Sequence, residues 1–324
     1  MTLKSQVEQQ IAAGGLEAAR EAIRDYAIRT PLLPFVGDGG PVIRLKAECL
    51  QPYGSFKVRA ASNVLAGYSA EALRHGVACA SAGNFGQGLA FAAARRGIPL
   101  AVHAPDNAAQ VKLDVMRSLG ATVHVHPFED WWRIMMTRQT GAGDGLFVHP
   151  VCEPGVILGN STIGFEIAED WPEADTVVVP VGGGGLISGI ALAMRGLGHK
   201  ARIVACEIET AAPLAAAFTA GYPVTIERQA SFVDGIGSTR VLDEMWPLLS
   251  ELVDEVITVS IAEAKRGVRL AAENSHLIVE GAAGVSLSAA LGCRGERVVA
   301  VLSGGNIDRR ELCRILGDEV RPRP

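Results

Sequence analysis

Cysteine pairs are missing from this chain of 324 residues. Its six cysteines lie at least 20 positions apart, so the chain contains no CxxC motif. That spacing excludes the disulfide framework of small secreted proteins and the usual paired-cysteine metal or redox site. Unpaired cysteines usually behave as small, buried apolar residues. The pattern predicts a reducing, cytoplasmic environment.

Runs of like charge are missing as well. Lys and Arg total 30 against 35 Asp and Glu, which gives a formal net charge of −5, and no five consecutive charges share a sign. Without a basic patch, binding to nucleic acid or to an anionic membrane is not expected. The first 15 residues carry charged and amide side chains where a signal peptide has an apolar run, so export is not expected.

One uncharged stretch, residues 176–194, has the length of a membrane span. Its middle holds Pro180 followed by four glycines, which would break a membrane-spanning helix. We therefore interpret this stretch as a buried strand, a turn and a helix.

Short apolar runs rich in β-branched residues alternate with longer segments of helical periodicity. The runs cover residues 77–81, 100–104, 122–126, 146–149, 176–181, 203–208, 256–260 and 298–302. This alternation predicts βαβ units, and strands that are apolar throughout predict helices on both faces of mainly parallel sheets. The expected fold is a doubly wound α/β fold, preceded by an amphipathic helix over 3–26, a loop over 31–41 and a strand over 42–46.

Three predicted strands end in turns rich in glycine and small polar residues, at 81–84, 181–186 and 303–306. In open α/β sheets, ligands bind beyond the carboxyl ends of the strands. We expect the three turns to meet at one cleft.

The middle turn carries the strongest signal for a ligand. It is formed by four consecutive glycines, Gly182, Gly183, Gly184 and Gly185, which we call the glycine loop. Backbone N–H groups before a helix favour an anion such as phosphate. The dinucleotide pattern GxGxxG and the Walker pattern both fail here. Glu207 lies where a ribose-binding acid would stand, so an NAD-dependent oxidoreductase stays open as an alternative.

Lysine is scarce, with six Lys against 24 Arg, and Lys57 lies in an apolar context. With Ser55 as the expected N-cap, Lys57 falls in the first turn of a helix and shares a face with Ala61, Val64 and Leu65. A partly desolvated amine near the positive end of a helix dipole has a lowered pKa and is a better nucleophile. Combined with a phosphate loop, this lysine indicates pyridoxal 5'-phosphate as the cofactor.

Four segments, GSFKVRAA, SAGNFGQGLAFAA, VVVPVGGGGLISGIA and VLSGGNID, resemble in order and spacing the fold type II pyridoxal-phosphate enzymes. Within that group the chain is most similar to the threonine/serine dehydratases, or ammonia-lyases. The resemblance implies two doubly wound domains of the tryptophan synthase β type. The large domain would comprise 1–50 and 151–324, and the small domain, 51–150, would close over the site.

The resemblance also implies roles for individual residues. Lys57 would form the Schiff base with the cofactor, with Phe56 against the ring. Asn84 would hydrogen-bond the phenolic oxygen, the glycine loop and Leu186 would hold the phosphate, and Ser303 would face the pyridine nitrogen. The expected substrate-binding residues are Ser81, Ala82, Gly83, Asn84 and Phe85.

The reaction implied is β-elimination from L-threonine, L-serine or a related 3-hydroxy amino acid, which gives a 2-keto acid and ammonia. Val58 stands where synthases of this fold often carry Asp, which disfavours β-replacement, and Ala82 stands where racemases carry a second serine. Serine racemase and β-replacement remain the alternatives within the fold. Phe85 and 159–162 depart from the dehydratase pattern, so a bulkier substrate stays open. Relatives are usually dimers, so a homodimer is expected.

Several other residues could have either a structural or a functional role. Glu207 would be the residue for a cation, although Pro213 replaces the second acid of metal-activated relatives, so no metal site is predicted. His124 and His126 alternate on a strand without an identifiable third ligand. Glu280 suits either a site near the cofactor or a helix start, and Asp234 suits either a closing loop or a turn. The chain has no room for a carboxyl-terminal regulatory domain, so feedback control by isoleucine is not expected.

Overall fold

The computed structural model describes residues 1–37, 40–141, 143 and 145–317. Within them, ten strands form two sheets. The strands are β1 (Leu32–Phe35), β2 (Val42–Lys46), β3 (Val77–Ala80), β4 (Leu100–Pro105), β5 (Thr122–His126), β6 (Leu146–Phe147), β7 (Thr176–Pro180), β8 (Arg202–Ile208), β9 (Glu255–Val259) and β10 (Arg297–Val301). The six-stranded sheet has the order β1-β2-β10-β7-β8-β9, and the four-stranded sheet has the order β5-β4-β3-β6.

Helices connect most of these strands. They are α1 (Leu3–Ala12), α2 (Gly15–Ala22), α3 (Lys57–Ala66), α4 (Ala70–Leu73), α5 (Asn84–Arg96), α6 (Gln110–Ser118), α7 (Phe128–Thr137), α8 (Pro154–Asp170), α9 (Gly185–Gly196), α10 (Pro213–Ala220), α11 (Trp246–Leu252), α12 (Ile261–Ser275), α13 (Gly281–Gly292) and α14 (Arg309–Gly317). Two short 3₁₀ helices, Glu48–Leu50 and Pro52–Gly54, precede α3. None of the described helices is long and apolar enough to cross a membrane.

The doubly wound α/β fold predicted from the sequence is confirmed. All described strand pairs are parallel except β1 with β2. Alternate residues of β7 belong to two separate cores: Val177 and Val179 pack with Ile187 of α9, and Val178 packs with Leu287 of α13. Burying each such valine contributes about 1.5–3 kcal/mol, so helices on both faces explain why this strand is apolar at every position.

Two predictions for the first 41 residues were wrong. The expected helix over 3–26 is two helices, because Gly14 adopts a left-handed φ of +80° between α1 and α2. The expected loop over 31–41 contains β1, which pairs antiparallel with β2. Pro34 concealed this strand, but an edge strand tolerates proline because one side of it needs no ladder hydrogen bonds.

A buried ion cluster attaches α3 to the six-stranded half of the molecule. Arg59, which is fully buried, donates to both carboxylate oxygens of Glu48 at 2.9 Å and to those of Glu166 on α8 at 2.6 and 2.8 Å. Lys46 of β2 also pairs with Glu166. The two cations balance the two carboxylates, and paired, hydrogen-bonded charges of this kind tolerate burial. The cluster therefore fixes the start of α3, two residues from Lys57.

Candidate active site

The three glycine-rich turns predicted to meet do so. They follow β3, β7 and β10 and enclose one cavity of about 200 Å³ between the two sheets. The residues lining it are Phe56, Lys57, Ser81, Gly83, Asn84, Phe85, Lys112, Pro150, Val151, Asn160, Pro180, Gly182, Gly183, Gly184, Gly185, Leu186, Asp234, Gly235, Ile236, Glu280 and Ser303.

Lys57 is the first residue of α3, and its side chain reaches this cavity. The N-cap of α3 is Phe56 rather than Ser55, and no side chain caps this helix start. Ser55 instead forms a bridge with Gly304, and the Phe56 N–H donates to the Ser303 carbonyl at 3.1 Å. The turn after β10 therefore holds the segment before Lys57 by backbone hydrogen bonds like those of a β-sheet. A search for capping residues in the sequence does not detect such pairing.

Helix α5 passes directly over the backbone of Lys57. A Cβ built on Gly88 would lie 3.0 Å from the Lys57 carbonyl carbon and oxygen, closer than nearly all real contacts. Glycine at this position lets the two helix backbones touch. The approach sets the spacing between Lys57 and the turn that begins α5.

The environment of Lys57 favours its neutral form. Burial lowers the pKa of its amine from 10.5 to about 8, and the negative charge of Glu280 opposes part of this change. The rings of Phe56 and Phe85 lie 4.7 and 5.9 Å from Nζ. An amine that is partly neutral near physiological pH can act as a nucleophile and as a base.

The glycine loop leads directly into α9, and neighbouring residues leave no space for a side chain at Gly183 or Gly184. Gly184 is the N-cap of α9 at a φ of +92°, and a Cβ there would lie 2.8 Å from Cδ1 of Leu249. A Cβ on Gly183 would lie 2.4 Å from Cγ2 of Val151. The loop is thus a backbone cradle at a helix N-terminus, the arrangement that binds phosphate.

Asn84 belongs to a hydrogen-bond network that the sequence left open. Its Nδ2 donates to Glu280 Oε1 and Oε2 at 3.1 and 3.0 Å, and its Oδ1 accepts from Asn306 Nδ2 at 3.0 Å. Glu280 is buried, which raises the pKa of its carboxyl, whereas the Asn84 hydrogen bond lowers it. Of the two explanations for Glu280, the structure supports a place in the site, because its side chain orients the Asn84 amide.

Ser81 and Gly83 shape the start of α5. The Ser81 hydroxyl oxygen accepts from the backbone N–H groups of Gly83 and Gly86 at 3.4 and 3.2 Å, and Gly83 is the N-cap. Ala82 is not among the residues that line the cavity; it packs against the core of the four-stranded sheet.

Sequence reasoning assigned no individual role to two polar residues of the site, Lys112 and Asn160, although 159–162 was noted as a departure from the dehydratase pattern near the substrate. Lys112 of α6 lies at the cavity and pairs with Asp234 at 2.9 Å, which joins the two halves of the molecule. Asn160 reaches the cavity from the middle of α8. The scarcity of lysine that singled out Lys57 would also have flagged Lys112. Asn160 was noted only through the resemblance, as part of 159–162, because no local pattern distinguishes it from a polar residue facing solvent.

Glu207 lies outside the cavity lining. Its carboxylate oxygens accept from the backbone N–H groups of Leu214 and Ala215 at 2.9 and 2.8 Å, which caps α10, and burial raises its pKa to about 7. Glu207 therefore serves the start of α10 and does not face the cavity where a ribose would lie. The rings of His124 and His126 stack on His103, and the described residues contain no group of three metal-ligating side chains.

The residues present fit pyridoxal phosphate. Lys57 supplies a buried amine of lowered pKa, the glycine loop supplies a backbone cradle in which a Cβ on Gly183 or Gly184 would clash with its neighbours, and Asn84 and Ser303 supply polar groups in the same cavity. An amine and an anion cradle in one cavity are what this aldehyde phosphate requires.

Comparison with known proteins identifies the family. The family model described as pyridoxal-phosphate dependent enzyme matches residues 23–304, and the chain belongs to this family. Its cofactor is therefore pyridoxal phosphate. The chain is 37% identical to an L-threonine ammonia-lyase of Thermotoga maritima over 282 residues, covering 86% of this chain and 70% of the relative.

Other similar proteins include a putative threonine dehydratase of Sinorhizobium fredii, 35% identical over 90% of this chain and 91% of the relative. Among solved structures, maize serine racemase superposes with a TM-score of 0.87 at 30% identity, covering 93% of this chain and 95% of that one. The processed threonine deaminase isoform 2 of Solanum lycopersicum gives a TM-score of 0.87 at 27% identity, with 97% and 93% covered.

Proposed function

We propose that the protein is a pyridoxal-phosphate-dependent ammonia-lyase that converts L-threonine, L-serine or a related 3-hydroxy amino acid to a 2-keto acid and ammonia. The observation that carries the proposal is that Lys57 and the glycine loop line the same cavity. The amine of Lys57 also has a lowered pKa. The names of the relatives, threonine ammonia-lyases and dehydratases, support the choice of reaction.

When bound, pyridoxal phosphate supplies an aldehyde that bonds to amines and a ring that withdraws electrons from the α-carbon of an amino acid. In our proposal the glycine loop and Leu186 hold its phosphate, Phe56 lies against the ring, Asn84 donates to the phenolic oxygen, and Ser303 faces the pyridine nitrogen. A neutral hydroxyl at Ser303 leaves the ring nitrogen less fully protonated than a carboxylate partner would, which favours prompt loss of a β-leaving group.

Lys57 is the proposed base. Its Nζ, neutral in a substantial fraction of molecules because burial disfavours the ammonium, accepts the α-proton of the substrate. The β-hydroxyl then leaves with one proton as water, which balances the proton that Lys57 took from the α-carbon, and one water is taken up again when ammonia is released. The balanced reaction converts one 3-hydroxy amino acid to one 2-keto acid and one ammonium ion.

We assign the substrate carboxylate to the turn formed by Ser81, Gly83 and Asn84. The support is the position of this turn at the N-terminus of the 13-residue helix α5, where backbone N–H groups and the helix dipole favour an anion. The apolar side chains of Phe85, Val151 and Ile236 also line the cavity. They are the residues that would contact the side chain of the substrate and so select among 3-hydroxy amino acids.

A racemase is the second candidate, favoured by the likeness to maize serine racemase. Racemisation needs an acid on the ring face opposite the lysine, and the position expected to supply it holds Ala82, which has no hydroxyl and does not line the cavity. This weighs against racemisation.

We also propose the domain division 1–50 with 151–324 and 51–150, a homodimer, and a cytoplasmic location. The division is supported by the strands, since those of the four-stranded sheet lie between 77 and 147 and those of the six-stranded sheet lie outside this range. The location is supported by six free cysteines. Sedimentation of the purified protein tests the dimer.

The deciding experiment is a panel of hydroxy amino acids assayed for both ammonia and keto acid with the cofactor-loaded protein. Equal yields of the two products from threonine or serine are expected, and Lys57→Ala removes both. Borohydride reduction followed by peptide mapping should place the cofactor on Lys57. Formation of D-serine without keto acid would favour the racemase instead, and cofactor attached elsewhere would refute the assignment.

A further inference from the structure

Asn160 is a buried residue of the cavity wall that the roles assigned above do not use. It is 1% exposed, lies in the middle of α8 and lines the cavity. Its Oδ1 is sealed from solvent and has no hydrogen-bond partner among the described residues. Buried acceptors without a partner are rare in proteins because each one destabilises the fold.

The Asn160 side chain lies against the first turn of α9. A Cβ built on Gly189 would lie 2.8 Å from Cβ of Asn160, and one built on Gly185 would lie 3.6 Å from its Nδ2. The amide nitrogen is thus beside the residue where the glycine loop becomes a helix. Leucine has almost the same shape as asparagine and would fill this place without an orphan oxygen, so fold stability does not account for the amide. The donor nitrogen Nδ2, which lies beside Gly185, is the atom that a ligand in the cavity can use.

We propose that Asn160 is a side-chain ligand of the phosphate bound at the glycine loop. The helix N-terminus attracts an anion, and the amide nitrogen on its wall can donate a further hydrogen bond, directed by the packed side chain. A substrate ammonium group would need an acceptor instead, and the Asn160 oxygen is sealed from solvent. The inference rests on the proposed function only in taking pyridoxal phosphate as the occupant.

The test compares cofactor-free wild type with Asn160→Leu. Three probes are titrated by changes in protein fluorescence: pyridoxal phosphate, pyridoxal, which lacks the phosphate, and inorganic phosphate. Losing one hydrogen bond to a charged group should weaken binding of both phosphate probes about tenfold or more. Binding of pyridoxal should not change. The melting temperature of the cofactor-free variant should not fall, because the orphan oxygen is gone.

Two further variants separate a hydrogen bond from packing. Asn160→Asp puts a negative charge beside the phosphate and should weaken the phosphate probes more than Asn160→Leu does. Ser188→Ala is the matched control: Ser188 lies on α9, its Oγ is also buried without a partner among the described residues, and it does not line the cavity. This control should retain wild-type affinity for all three probes.

Unchanged binding of pyridoxal phosphate by Asn160→Leu would overturn the proposal. An equal loss for pyridoxal phosphate and pyridoxal would overturn it too, because the amide would then act on the ring or on packing. If wild type bound inorganic phosphate in an Asn160-dependent way but catalysed no elimination from any amino acid, the proposed reaction would fail while the phosphate ligand stood.

Discussion

Lys57 should capture its cofactor with a pH midpoint near 8 rather than near that of free lysine. Burial lowers the pKa of its amine from 10.5 to about 8, a difference of 10.5 minus 8, or about 2.5. At pH 7.5 roughly a quarter of Lys57 is then neutral, against about one in a thousand for an unperturbed lysine. The neutral amine is the reactive form, so the structure predicts a roughly 200-fold higher reactive fraction at this pH.

The assay is the rate of capture of pyridoxal phosphate by cofactor-free protein, followed by visible absorbance in a stopped-flow instrument from pH 6 to pH 10. The rate should rise about tenfold per pH unit below 8 and level off above it. The aldehyde itself titrates in this range, so each rate is divided by that for Nα-acetyl-lysine, whose amine is unperturbed. The normalised rate should be constant below pH 8 and fall about tenfold per pH unit above it, because only the reference amine continues to deprotonate there. A normalised rate without a break near pH 8 would refute the reasoning that burial sets the pKa of Lys57.

Three further predictions follow from other contacts. Glu280→Gln keeps a side-chain acceptor for Asn84 but removes the negative charge that raises the Lys57 pKa, so the capture midpoint should move below 8; an unmoved or higher midpoint would contradict the electrostatic coupling. Gly184→Ala should destabilise the fold by about 1–3 kcal/mol in urea denaturation, because it adds left-handed strain and a contact with Leu249; Gly196→Ala, with ordinary space at its Cβ, should be neutral or stabilising. Arg59→Met should lower the free energy of unfolding by about 3–5 kcal/mol, because the buried Glu48 loses its cation while Glu166 keeps only Lys46. Arg117→Met, in an exposed pair, should change stability by less than about 0.5 kcal/mol.

The sequence predicted those parts of the fold and site that local pattern encodes. All eight strand runs correspond to observed strands within one or two residues. Central strands such as β3, β7 and β10 are covered on both faces and so are apolar, while the edge strand β5 was recognised by its β-branched residues instead. Of the residues predicted to bind pyridoxal phosphate or its amino-acid substrate, all but Ala82 line the cavity, whereas Glu207, the candidate for a ribose or a cation, does not. Glycines before a helix and a lysine in an apolar segment are visible without tertiary information.

What the sequence did not predict depends on contacts between distant segments. Asn160 is oriented by the crossing of α8 with α9, and Lys112 by an ion pair with Asp234, 122 residues away. The prediction of Ser55 as the N-cap was wrong because the Ser55 backbone pairs with Gly304, and α3 begins one residue later with Phe56 as its N-cap. Glu280 could not be assigned from pattern, since an acid before a helix suits the dipole whether or not it contacts Asn84.

The anchoring of α3 by Arg59 also has a mechanical consequence. Through Glu48 and Glu166 the backbone of Lys57 is held to the six-stranded half, whereas Ser81 and Asn84 are carried by the four-stranded half. Helix α5, which carries Asn84, touches the Lys57 backbone at Gly88 and shares the core of the four-stranded sheet with α3. A hinge motion between the halves would therefore have to break either the ion cluster or this helix contact, so the reacting nitrogen is tied to both walls of the cleft.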